Sequence, residues 1–290
     1  MKKILVPVDF STHADITCNY ALEFTKLTDS EILLYHTYFD QIVIPDSTFP
    51  DTMDMNTMYN EELMKELLHQ AEKNLGEMKN KLDLRVKKEN LENVTIKTLV
   101  TGGDIELELK DVCRTYRPDL VVIGTRGEGK SNAVWGRIST FIVNHVNVPV
   151  LMIPNIKTFL GFQNTMVAID LSKENQTMID HVIDLLHPFD VHLNCVHFLI
   201  HKKNKDDETL RLEALKELFL SGKKSVNMSF EMIEVEEDNQ KSIEDIVKKK
   251  NITLIAFQPH KRNFLYTMFT SNITKKNLFS TNIPLIAIPI

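Results

Sequence analysis

Chemistry is concentrated in residues 124–139, GTRGEGKSNAVWGRIS, where Gly124, Gly127, Gly129 and Gly136 are interleaved with Arg126, Lys130 and Arg137. Glycines let a backbone approach a phosphate closely, and a helix starting near Arg137 offers that anion its unpaired N–H groups and positive dipole end. The three cations supply the charge that a nucleotide needs, and Ser139 and Thr140 add hydroxyl donors. The bland alternative is a glycine-rich turn between strand and helix with no ligand. The stretch from Gly124 to Ser131 also satisfies the P-loop pattern GxxxxGK[ST]. A P-loop opens a long helix directly at its Lys-Ser, whereas Gly136 interrupts that helix here after one turn.

These residues need a sheet to position them. In an open parallel sheet, ligands bind outside the carboxyl ends of strands where the strand order reverses. If the strand Lys3–Val8 and the strand ending at Ile123 flank that point, Asp9 and the loop from Gly124 share one crevice. The intervening pattern fits: helix over 12–28 behind a Ser11 or Thr12 cap, strand Glu31–Thr37, a long loop over 39–58, helix Glu61–Leu82, strand Val94–Leu99, helix Asp104–Tyr116, strand Leu120–Ile123, a short helix over 137–146 and a closing strand Val150–Ile153. The order then repeats. ILVPVDFS (4–11) is matched by MVAIDLS (166–172), and NVPVLMIP (147–154) by NIPLIAIP (282–289). The second copy predicts strands Thr165–Ile169, Val191–Phe198, Met228–Val235, Thr253–Ala256 and Leu285–Ile288, with helices near 173–187, 207–223, 240–250 and 272–279. Strands that read as continuous apolar runs between helices point to parallel sheets covered on both faces. The expected fold is therefore α/β: two doubly wound parallel five-stranded sheets with helices on both faces, in tandem, as domains 1–154 and 155–290. FQPHKRNFLYTMFTSNIT (257–274) stands where the glycine loop should recur and contains no glycine.

Composition narrows the partners. Across 290 residues the chain is 43% hydrophobic and 26% charged, with a net charge of −6 and a pI near 5.9, which argues against nucleic acid. A mean hydropathy of −0.16 and the absence of long apolar runs predict no membrane partner. MKKILVPVDF lacks the core of a signal peptide, so a cytoplasmic protein is expected. Cys18, Cys113 and Cys195 form no CxxC spacing and read as core thiols. His36 and His197 end equivalent strands, which favours a structural role over metal binding, and no metal site is expected. Met53, Met55, Met58 and Met64 read as adaptable packing against a lid or partner.

With KILVPVDFS at 3–11, LLYHTY at 33–38, DLVVIGTRGEGKSNAVWGRIST at 119–140 and NVPVLMIP after it, the chain resembles the universal stress protein family in its tandem form. The resemblance implies an adenine nucleotide alpha hydrolase-like, Rossmann-like fold and ATP as ligand, alone or with Mg. It implies that Pro7 and Asp9 line the adenine and ribose end, that Thr37 packs beside the base, that Ile123 and Gly124 edge the pocket, and that Gly127, Gly136 and Ser139 hold phosphates. It also implies that the two copies pack about a pseudo-twofold axis through Val148–Ile153 and Ile283–Ile288, and it leaves open whether two chains form a homodimer. The family pattern is Gly-x-x-Gly, nine residues, then Gly-Ser or Gly-Thr. Eight residues separate Gly127 from Gly136 here, and Arg137 follows where a hydroxyl is expected. Arg137 either replaces that hydroxyl with a charged contact or blocks the site. In the second copy Asp170 persists, but Phe257, His260 and Ser271 replace the glycines. Three functions follow: a nucleotide-binding sensor or regulator with hydrolysis slow or absent and no catalytic residue, a scaffold that binds no nucleotide, and an NTPase using Gly129 and Lys130 in a P-loop.

Overall fold

Ile4, Leu5 and Val6 are buried at three consecutive positions, as in a strand covered on both faces. In the computed structural model the described residues are 1–38, 53–125, 137–156, 158–199, 205–221, 226–234, 241–259 and 282–290, with the backbone alone for 53–60 and 241–243. They divide into two compact units, Met1–Val122 and Ile123–Ile290.

The first unit runs β1 (Lys2–Pro7), α1 (Thr12–Thr25), β2 (Ser30–Tyr38), α2 (Met53–Lys88), β3 (Val94–Gly102), α3 (Ile105–Tyr116) and the start of β4 (Leu120–Gly124). Its strands lie in the order β3-β2-β1-β4, all parallel, with Pro7 opposite Tyr35 and Leu5 opposite Val121. Ser11 caps α1 by accepting from the Ala14 N–H at 3.3 Å, and Asp104 caps α3 by accepting from Glu106 and Leu107. Gly103, at φ +135°, makes the turn into that cap.

The long loop expected over 39–58 is corrected at its end. Helix α2 starts at Met53, well before Glu61, and runs 36 residues to Lys88. Pro50 is the last proline before it, and no glycine or proline interrupts the chain from Met53 until Gly76. Ala71, Leu75, Met78 and Leu82 form its buried stripe at helical spacing, while Leu63 and Leu67 remain exposed. Residues 39–52 lie outside the described residues. At the far end of α2, Arg85 and Lys26 alternate with Glu23 and Glu89: Lys26 meets Glu23 at 2.7 Å and Glu89 at 2.8 Å, and Arg85 bonds both acids. This ring ties the ends of α1 and α2 together.

The second unit carries the end of β4, α4 (Arg137–His145), β5 (Val150–Ile153), β6 (Asn164–Ile169), α5 (Asn175–Leu186), β7 (His192–Leu199), α6 (Lys205–Leu220), β8 (Asn227–Glu234), α7 (Lys241–Lys249), β9 (Leu254–Phe257) and β10 (Leu285–Ala287). Its strand order is β5-β10-β9-β6-β7-β8. All pairs are parallel except the closing strands of the two repeats, which pair antiparallel with Ile286 opposite Leu151. The helix expected near 272–279 lies outside the described residues. No helix among the described residues is long and apolar enough to cross a membrane.

One buried carboxylate marks the amino end of the first sheet. Glu31 on β2 accepts from the Lys97 ammonium at 2.7 Å and from the Tyr116 hydroxyl at 2.9 Å. Lys97 beside it, and then Tyr116, hold its carboxyl below the usual carboxylate range despite burial. A carboxyl lowered on folding contributes stability above the unfolded value of about 4.3 and loses it as pH falls through the lower folded value. Glu31→Gln is expected to cost about 1–2 kcal/mol at pH 7 by urea unfolding. The gap should narrow below about pH 4; an equal gap at pH 3 and pH 7 would contradict this account.

Candidate functional site

The first unit places Pro7, Asp9 and Thr37 at the carboxyl ends of two paired strands. The Val8 N–H donates to the Tyr35 carbonyl at 2.8 Å, one position past the β1–β2 register, and the chain then turns. The turn passes through Phe10 at φ +61°, a left-handed conformation that bulky side chains avoid. Asp9 is exposed, and its Oδ1 accepts from the Ser11 N–H at 3.1 Å and the Ser11 hydroxyl at 2.6 Å. Ser11 therefore fixes both the Asp9 carboxylate and the first turn of α1. On β2, Thr37 donates to the Tyr35 hydroxyl at 2.7 Å, which also meets Thr101 at 2.7 Å, and burial pushes the Tyr35 phenol up. His36 directs Nδ1 at the Val8 carbonyl at 2.8 Å, and its ring lies 4.2 Å from that of Phe10.

The second unit holds Ile123, Gly124, Arg137 and Ser139. Ile123 is buried and Gly124 half-buried at the end of β4, and the Thr125 N–H donates to the Ile153 carbonyl at 2.9 Å. Ser139, buried in the first turn of α4, donates to the Gly124 carbonyl at 2.9 Å, so its hydroxyl pins the strand end to the helix start. Arg137 begins that helix and is exposed. Gly127, Gly129, Lys130 and Gly136 lie outside the described residues, as do His260 and Ser271 of the second copy.

The second repeat rebuilds the Asp turn and then locks it. Leu171, the counterpart of Phe10, sits at φ +60°, and Asp170 Oδ1 accepts from the Ser172 N–H at 3.0 Å. Asn175, fully buried where the first repeat has Ala14, clamps the turn from the other side. Its Nδ2 donates to Asp170 Oδ1 at 2.9 Å, and its Oδ1 accepts from the Asp170 N–H at 3.0 Å. His197 repeats the His36 bond, with Nδ1 3.0 Å from the Ile169 carbonyl, and its Nε2 meets Glu208 at 2.8 Å. Asn175 and the left-handed residues were missed in the sequence. The repeat carried the signal, since aligning Asp9 with Asp170 sets Asn175 against Ala14.

A family model described as the universal stress protein family matches residues 1–154 and 161–289. The chain belongs to that family. Among curated relatives, the universal stress protein MJ0577 of Methanocaldococcus jannaschii is 26% identical over 157 residues, covering 52% of this chain and 94% of its own length. A universal stress protein A-like protein of Arabidopsis thaliana is 28% identical over 170 residues, 52% of this chain and 89% of that protein. Each spans about half of this chain, as single copies of a duplicated unit would. A crystal structure of a universal stress protein from Archaeoglobus fulgidus aligns with 99% of this chain and 96% of its own at a TM-score of 0.65 and 15% identity, a likeness of fold. The stress protein fold thus spans both repeats.

Among the described residues, no group of three or more His, Cys, Asp or Glu could hold a metal ion. The thiols are equally quiet: burial pushes Cys18 and Cys195 up to about 12 and Cys113 up to about 11. A buried thiol held that far above neutrality carries almost no thiolate, the reactive form, at about pH 7.5. A small thiol reagent at pH 7.5 is accordingly expected to label none of them in the folded protein and all of them in denaturant. Rapid labelling of Cys18 without denaturant would overturn this.

Proposed function

We propose that this member of the family is a cytoplasmic stress-response protein whose first domain, residues 1–154, binds an adenine nucleotide. The nucleotide is ATP, with or without Mg, and the protein acts as a sensor or regulator with hydrolysis slow or absent. The second domain, 155–290, binds none. The observation that carries this reading is the contrast between the two Asp turns. Asp9 stands exposed on a turn held by Ser11, whereas Asp170 is clamped by the buried Asn175. A carboxylate presented in this way suits the hydroxyls of a ribose, with Pro7 and Thr37 beside the base. The glycine loop, with Ile123, Gly124, Arg137 and Ser139 at its ends, is assigned to the phosphates, and only the first repeat has one. Mg would enter on those phosphates, because this ion keeps several waters and needs few protein ligands. Efficient phosphoryl transfer also requires a placed metal and a water-positioning residue, and the sequence shows only the cationic clamps.

Thermal unfolding with and without MgATP tests the reading. Nucleotide at a hundred times its dissociation constant should add about 2.7 kcal/mol of stability. Asp9→Asn should weaken binding roughly tenfold or more, as loss of a charged hydrogen bond does, while Asp170→Asn should lower stability and leave the nucleotide shift intact. Gly127→Leu should abolish the shift. Lys130→Ala should matter greatly only to a P-loop NTPase, which rapid ATP turnover lost in that variant would reveal. Absence of any shift with ATP, ADP, AMP or cyclic nucleotides would leave the scaffold reading.

A further inference from the structure

We infer that His36 is a positioning residue for Asp9: it fixes the left-handed turn on which the carboxylate is presented, and its effect on nucleotide affinity rests on the reading above. A carbonyl oxygen accepts and cannot donate, so the 2.8 Å contact between His36 Nδ1 and the Val8 carbonyl places the ring proton on Nδ1. That bond holds Val8, the residue before Asp9. The same ring supports Phe10, whose φ of +61° would relax without restraint from its surroundings. One imidazole thus grips the residues on both sides of Asp9, while Ser11 orients the carboxylate itself.

The second repeat supplies an independent instance. There His197 grips the Ile169 carbonyl at 3.0 Å, Leu171 takes φ +60°, and the Ser172 N–H bonds the Asp170 carboxylate. The device persists in a copy without the glycine loop, so it belongs to the fold and acts on the Asp whether or not a ligand is present. Only the supports differ. Asn175 braces Asp170 directly and Glu208 braces His197, whereas Ala14 occupies the position of Asn175 in the first copy. The second turn therefore carries the Asn175 brace in addition to its histidine.

The two copies make each histidine the control for the other in the full chain. Hydrogen exchange at the Ser11 amide, which bonds Asp9, reads the turn directly. His36→Ala should speed exchange at Ser11 at least tenfold and leave Ser172 unchanged, and it should weaken ATP binding by tenfold or more in titration calorimetry. His36→Asn, whose amide nitrogen reproduces the Nδ1 donor, should recover most of both. His197→Ala should lower the melting temperature without altering ATP affinity. Unchanged Ser11 exchange in His36→Ala, or no recovery in His36→Asn, would overturn the inference. If wild-type protein binds no nucleotide, the nucleotide reading fails, and Ser11 exchange still decides whether His36 sets the turn.

Discussion

A parallel strand buried on both faces carries mostly apolar side chains along its length, so exposed polar groups gather at the point where it ends. Ile4, Leu5 and Val6 of β1 and Met166, Val167, Ala168 and Ile169 of β6 show the constraint, with every one of these side chains buried. The first outward-facing acid in each repeat, Asp9 or Asp170, appears immediately afterwards. Everything distinctive about the molecule is then decided by how the chain leaves the sheet. It leaves through a left-handed residue, past a histidine on the neighbouring strand and a serine whose N–H bonds the acid, and in the first repeat that serine also caps the next helix.

Duplication made the two exits comparable, and their divergence is small in sequence and large in chemistry. A buried Asn175 in place of Ala14 gives the second turn one bond to the Asp170 carboxylate and one from the Asp170 backbone N–H. Burying an amide is favourable only when its donor and acceptor are both satisfied, and the Asp170 backbone and carboxylate satisfy one each. The same bonds that stabilise the second turn hold the Asp170 carboxylate in one orientation. Ser139 illustrates a milder case: its hydroxyl hydrogen is committed to the Gly124 carbonyl, which leaves the oxygen as an acceptor and the helix amides as the donors for an anion.

The alternation of strands and helices, and the sheet class, were legible because buried strands and helical stripes have different periods. Leu109, Val112 and Cys113 on α3 and Ile32–Tyr35 on β2 are unambiguous on that ground. The start of α2 was not legible, since MDMNTMYN lacks the apolar period of a core helix and the lone Thr52 before it is a weak signal. At the site, residue types were readable and bonding was not. Asp9, Thr37 and Ser139 could be named from their positions, but Thr37 turning to Tyr35 and Ser139 to Gly124 are choices between local partners that spacing does not rank. His36 and His197 could be paired as equivalents without revealing that both reach across to the preceding strand.

Strain sharpens the reading of the turn. A left-handed Phe or Leu costs on the order of 1–2 kcal/mol relative to glycine, and the chain has kept a bulky residue at that position in both repeats. Glycine there would remove the strain but also the ring that packs on His36, and it would widen the conformations open to the unfolded and folded turn alike. A carboxylate that must meet a ligand in one orientation gains more from a narrow turn than from a relaxed one, because ordering it beforehand lowers the entropy lost on binding. By that argument the strained residue and the histidine form one device, and in the second repeat Asn175 narrows the turn further.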